Sequence, residues 1–143
     1  MFARRTRNRG VRLASVAIGM AVVGAIGVQT AFARITANTI DPVAIVADNG
    51  RDVIVTGPLS CTEGERAYLR VTVTQSSTGA VAEGRTLITC IESTQQWEVH
   101  ASTQGKETFE EGPATATAVA RTTERGETTD AHQWLVDIAL VGE

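Results

Sequence analysis

From Val43 onward, apolar and polar residues alternate with a period of two in one segment after another, and a 3.6-residue repeat is almost absent. Val43, Ile45 and Ala47 alternate, ADNGRD supplies an Asn-Gly turn, and Val53 and Val55 resume the alternation, which predicts a hairpin. In RAYLRVTVTQ the residues Ala67, Leu69, Val71 and Val73 fall on one face, and Tyr68, Arg70, Thr72 and Thr74 on the other. Successive side chains on a strand point to opposite faces, so this is a half-buried strand. SSTG turns the chain before an apolar-rich stretch from Arg85 to Ile91. QQWEVHAST then sets Trp97, Val99 and Ala101 inward with Glu98 and His100 outward. ATATAVARTT and HQWLVDIALV complete the set, the latter with Trp134, Val136, Ile138 and Leu140 on one face. About seven short strands with regular turn signals predict an all-β domain, either a sandwich or a small barrel.

The opening of the chain has a different pattern. Arg4, Arg5, Arg7, Arg9 and Arg12 precede Leu13 to Ala33, which carries no charge and ends in the small-x-small triplet Ala31-Phe32-Ala33. A basic region, an apolar core and small residues at the end predict a signal peptide over 1–33, cleaved after Ala33. The alternative is an uncleaved anchor, since the uncharged stretch approaches the roughly 20 residues that span a bilayer. Arg4-Arg5 raises twin-arginine export, but the following TRN departs from that signal, and the general secretory route fits better. Residues 34–42 read as a flexible segment and 43–143 as the folded domain.

Cleavage changes the charge. The leader holds five basic residues and no acidic ones, which leaves eight basic against sixteen acidic residues, a net charge of −8. An exported acidic domain of about 110 residues is expected to be soluble, with no nucleic-acid partner and no membrane contact except through an uncleaved leader. Its partner is expected to be an extracellular ligand or protein.

The compartment decides how the cysteines are read. Cys61 and Cys90 are the two cysteines of the chain, and in an oxidising environment an even count predicts a framework, here a single bridge. The chain-entropy relation gives about 3.5 kcal/mol for closing such a loop. A reactive thiol needs electropositive surroundings, whereas Cys61 is followed by Glu63 and Glu65 and Cys90 by Glu92. Two sheets pinned by a bridge, with a tryptophan nearby, favour the sandwich. Trp97 follows the second cysteine instead of lying between the two, so the expectation is an immunoglobulin-like architecture and not the immunoglobulin pattern proper.

Four segments carry a wider likeness: Cys61 after VIVTGPLS, Cys90 through QQWEV, FEEGPATATAVAR, and QWLVDIAL. Through them the chain resembles small exported bacterial proteins of unknown function, each a signal peptide and one immunoglobulin-like sandwich. The resemblance runs from about Val43 to Val141. It implies architecture alone, and no catalytic residue is carried over from it.

Candidate chemistry is sparse. Only His100 and His132 could act as bases, and His132 stands two residues after Asp130, so the two share a face of an extended strand. Without an identified nucleophile, a solvated strand end is the plainer reading, and His100 reads as surface. Glu107, Glu110 and Glu111, and separately Asp48, Asn49 and Asp52, lack the regular ligand spacing of a calcium loop. No metal or cofactor is expected. Outward threonines such as Thr72, Thr74, Thr115 and Thr117 follow from β propensity. Phe109, apolar within GKETFEEGP, either anchors a partner or folds back as a plug over the end of the domain.

The leading expectation is therefore a non-enzymatic exported domain, either a binding or adhesion-like module or a structural component of the cell exterior, whose function lies in loops. Lys106 to Pro113, with Lys106, Glu107, Phe109, Glu110 and Glu111, and Thr123 to Ala131 are the candidate surfaces, both long, charged and glycine-containing. The alternatives are a small exported hydrolase or an inhibitor of one, using Asp130 and His132, and a module tethered by its leader.

Overall fold

The computed structural model describes residues 35–36 and 39–143. The leader and its cleavage site lie outside the described residues. Among the described residues eight strands follow one another: β1 (Ile35–Thr36), β2 (Val43–Ala47), β3 (Asp52–Cys61), β4 (Arg66–Gln75), β5 (Ala80–Thr89), β6 (Gln95–Thr103), β7 (Gly112–Glu124) and β8 (Glu127–Gly142). Among the described residues no helix is long and apolar enough to cross a membrane.

The alternation holds on β3, β4 and β6 but not on β2, where Ala44 is buried and Val43 and Ile45 are exposed. On β3 and β4 every second residue is buried, from Val53 to Cys61 and from Ala67 to Gln75. Tyr68, Arg70 and Thr74 point outward on β4, and Trp97, Val99 and Ala101 turn inward on β6 while Glu98 and His100 do not. β7 contributes a row of small residues, Ala114, Ala116, Ala118 and Ala120, to the same core. Small side chains on one strand leave room for the larger Leu69, Val71 and Trp97 contributed by others, as a narrow interior requires.

The strand arrangement differs from two separate sheets. Hydrogen-bonded pairing runs β2-β3-β6-β5-β4-β7-β8 and returns to β2, so seven strands close into a barrel. The β2–β8 pairing is parallel, with Val43 opposite Ala139, and the others are antiparallel. Closure depends on β5. It pairs with β4 along its whole length and meets β6 only through Ala82 with Thr103 and Glu83 with Ser102. Gly84 stands where β5 leaves β6: a Cβ there would lie 2.5 Å from the His100 carbonyl oxygen and 2.6 Å from a Val99 methyl. Only a residue without a side chain allows that approach. This crossing, invisible to strand periodicity, replaces the expected sandwich with a closed ring.

Two further expectations change. Ile35 and Ile40 are core residues, and β1 pairs with the end of β3 beyond the stretch used by β2, so the described part of 34–42 is built into the domain. Thr123 to Ala131 is not a long loop. β7 and β8 run to a two-residue turn, Arg125-Gly126, with φ of 54° and 84°, the positive values that a tight hairpin turn demands. Threonines 122, 123, 128 and 129 favour strand, which is why charge and glycine misled.

Cys61 and Cys90 form a disulfide with Cα atoms 5.5 Å apart, joining the end of β3 to the chain just after β5. Neither is a free thiol.

Candidate functional site

The charged loop before β7 is held from inside the domain. Phe109 is buried, and its N–H donates to the Gly50 carbonyl at 2.8 Å, so the ring is a plug and not an exposed anchor. Lys106, Glu107, Glu110 and Glu111 remain exposed around it. The clamp is Gln75, itself buried at the end of β4. Its Nε2 donates to the carbonyls of Glu110 at 2.9 Å and Pro113 at 3.2 Å, and its Oε1 accepts the Glu110 N–H at 3.0 Å and the Thr78 hydroxyl at 3.0 Å. Gln75→Ala is expected to destabilise the domain by about 2 kcal/mol, because three backbone groups lose a buried partner. A urea titration would measure the loss, and cleavage by a protease selective for glutamate would report faster cutting at Glu110 and Glu111.

Glu65 closes the opposite end of β4. Its buried carboxylate accepts the Thr129 hydroxyl at 2.6 Å, and Thr129 is hydrogen-bonded to Thr122 at 2.9 Å. The Glu65 carbonyl also accepts the Cys90 N–H, which ties this network to the disulfide. Both buried polar residues hold structure together.

Asp130 and His132 do pair, Oδ2 to Nε2 at 3.4 Å, with side chains 20% and 39% exposed. The carboxylate also accepts the N–H groups of Ile35 at 3.1 Å and Ala131 at 2.9 Å, so it anchors β1. Among the described residues no serine or threonine hydroxyl is hydrogen-bonded to His132. His100 bonds Glu98 at 2.8 Å on the outer surface. No group of three or more His, Cys, Asp or Glu among the described residues could hold a metal ion.

The feature that the one-dimensional reading missed lies on the outer face of β5, β4, β7 and β8. Register places side chains there in rows. Leu87, Tyr68, Arg121 and Ala131 stand side by side, and so do Arg85, Arg70, Val119 and Gln133. The Arg121 guanidinium sits over the Tyr68 ring, 5.0 Å from its centre. Arg70 and Arg85 face each other directly and share one carboxylate, Glu83, at 3.9 and 3.4 Å. Like charges paired across strands cost stability, and one shared exposed carboxylate offsets little of that. Among the described residues Arg66 and Arg121 have no carboxylate at ion-pair distance. Four of the seven Arg and Lys residues from Ile35 onward thus gather on one face of an otherwise acidic domain.

This face is grooved. Tyr68, Arg70, Arg85, Val119 and Arg121 line an open cleft of about 420 Å³. Tyr68 also lines a second of about 360 Å³ with Arg66, Thr123 and Arg125. A third, of about 570 Å³, lies toward the other end of the face, lined by Thr74, Ser76, Ser77, Thr115 and Asp137. No protein-family model matches the chain, and no curated protein matches its sequence.

Proposed function

We propose that the protein is an exported, non-enzymatic binding module with an immunoglobulin-like arrangement of strands, released to the cell exterior after cleavage behind Ala33. The observation that carries this reading is the grooved arginine and tyrosine face, where Arg70 and Arg85 oppose each other across strands and one exposed carboxylate and one cation–π contact offset only part of the cost. The disulfide is consistent with an oxidising compartment. The immunoglobulin-like part draws support from the parallel β2–β8 pairing and from the two-pair contact of β5 with β6, which leaves β2, β3 and β6 as one broad face and β8, β7, β4 and β5 as the other.

An exported module of this kind is expected to sediment with envelope fragments of the producing cells and to be released by salt. The same preparation is expected to show no esterase, peptidase or glycosidase turnover. Hydrolysis that persists through purification and disappears in His132→Ala would overturn the proposal in favour of an enzyme.

A further inference from the structure

We infer that the outer face of β4, β5 and β7 binds a linear acidic polysaccharide, a ligand class that rests on the binding-module reading above. The argument begins with shape. Three open clefts follow β4 from Arg66 to beyond Thr74, a distance of about 26 Å at the usual rise of a strand. Separate open clefts strung along one strand suit a polymer that spans them better than a small molecule that needs enclosure.

Charge narrows the class. Arg66, Arg70, Arg85 and Arg121 present planar donor forks, which match carboxylate or sulfate groups bidentately. Glu83 lies among them and partly engages Arg70 and Arg85. Glu124 and Glu127 stand at the β7–β8 tip, and Asp137 lies at the far end, so the positive centre is bounded and not continuous over the domain. Repeated anions along a chain complement such a track.

Tyr68 separates a sugar from other polyanions. It is 40% exposed in the middle of the arginines, and the part of its ring that the Arg121 guanidinium leaves uncovered offers an aromatic surface against the C–H face of a pyranose ring. Single-stranded nucleic acid is held by aromatics that stack successive bases, and this face has one aromatic residue. A peptide would be expected to add to a free strand edge. The outer edge of β5 past Glu83 is guarded by Arg85, and at its end Gln95 donates to the Thr89 carbonyl and accepts the Ile91 N–H. The hydroxyls of Thr74, Ser77 and Thr115 at the far cleft are suited to neutral sugar hydroxyls.

The test is affinity electrophoresis of the secreted protein through gels containing polygalacturonate, with dextran as the neutral control. Retardation by polygalacturonate but not by dextran is expected, weakening about tenfold between low and moderate salt. Arg70→Glu combined with Arg121→Glu is expected to weaken retention tenfold or more. Tyr68→Ala should weaken it several-fold with less change in salt dependence. These side chains are exposed, and thermal unfolding of each variant checks that the fold persists. Absence of retardation, retention unchanged by the double variant, or equal binding of single-stranded DNA or of phosphatidylglycerol vesicles overturns the inference. Sedimentation with envelope fragments in the absence of polygalacturonate binding would refute the ligand class alone. Loss of both would refute the module reading as well.

Discussion

Trp97→Ala is expected to remove about 3–5 kcal/mol of stability, a large part of what a domain of this size possesses. Trp97 is 3% exposed on β6, opposite Gly57 of β3, and its Nε1–H donates to the Pro58 carbonyl at 3.3 Å. The ring lies over the glycine: a Cβ on Gly57 would come within 2.6 Å of Trp97 Cζ2 and 2.4 Å of the Thr39 carbonyl oxygen. Truncation therefore opens a cavity under a backbone with no side chain to fill it. Denaturant titration of Trp97→Ala against Trp97→Phe would separate the two contributions. Phenylalanine keeps most of the volume and is expected to recover more than half of the loss. An alanine variant within about 1 kcal/mol of the parent would show that β3 and β6 collapse together to fill the space.

The β3–β6 contact also shows where sequence reading stops. Alternation on both strands was legible, including the inward turn of Trp97, because one side chain in two must leave water. Which strand pairs with which is set by long-range register. Closure of the ring depends on β5 crossing to β6 at Gly84, a residue whose role is visible only against the His100 backbone. Parity carried more than it was asked to. The inward row of β4, extended one step beyond Ala67 and one beyond Val73, reaches Glu65 and Gln75. A polar residue on an apolar row is the signal of an internal clamp, and both residues are clamps.

The outward row of β4 was read correctly and its chemistry was not. Arg66, Tyr68 and Arg70 are three ordinary surface residues until β5 brings Arg85 beside Arg70 and β7 brings Arg121 beside Tyr68. Net charge concealed the cluster, since a sum over the domain cannot report an uneven distribution. The loop of Glu107, Glu110 and Glu111 drew attention because its charges are consecutive in sequence. The arginine face is assembled from strands far apart in sequence, and it is the better-formed surface.

Removing the disulfide by the paired change Cys61→Ser and Cys90→Ser is expected to cost about 3.5 kcal/mol, from the entropy restored to an unfolded chain whose two ends, 29 residues apart, are no longer joined. Any loss beyond this figure would come from the surroundings of the bridge, because the Gly64 N–H donates to the Cys90 carbonyl and the Cys90 N–H donates to the Glu65 carbonyl, so the bridge also positions the chain around a buried carboxylate. Thermal unfolding of the double variant, with the wild-type protein measured oxidised and reduced, would place both losses on one scale. Equal losses would assign the effect to the bridge itself. A larger loss in the serine variant would assign the remainder to two polar hydroxyls buried where sulfur packs. Intact mass of protein recovered from the producing cells and their medium ties the same bond to its compartment. A species beginning at Arg34 that gains two hydrogens on reduction is expected, whereas a full-length chain with two free thiols would remove export and the staple together. The second outcome would leave the Arg66 to Arg121 face without access to the polymers it is proposed to bind.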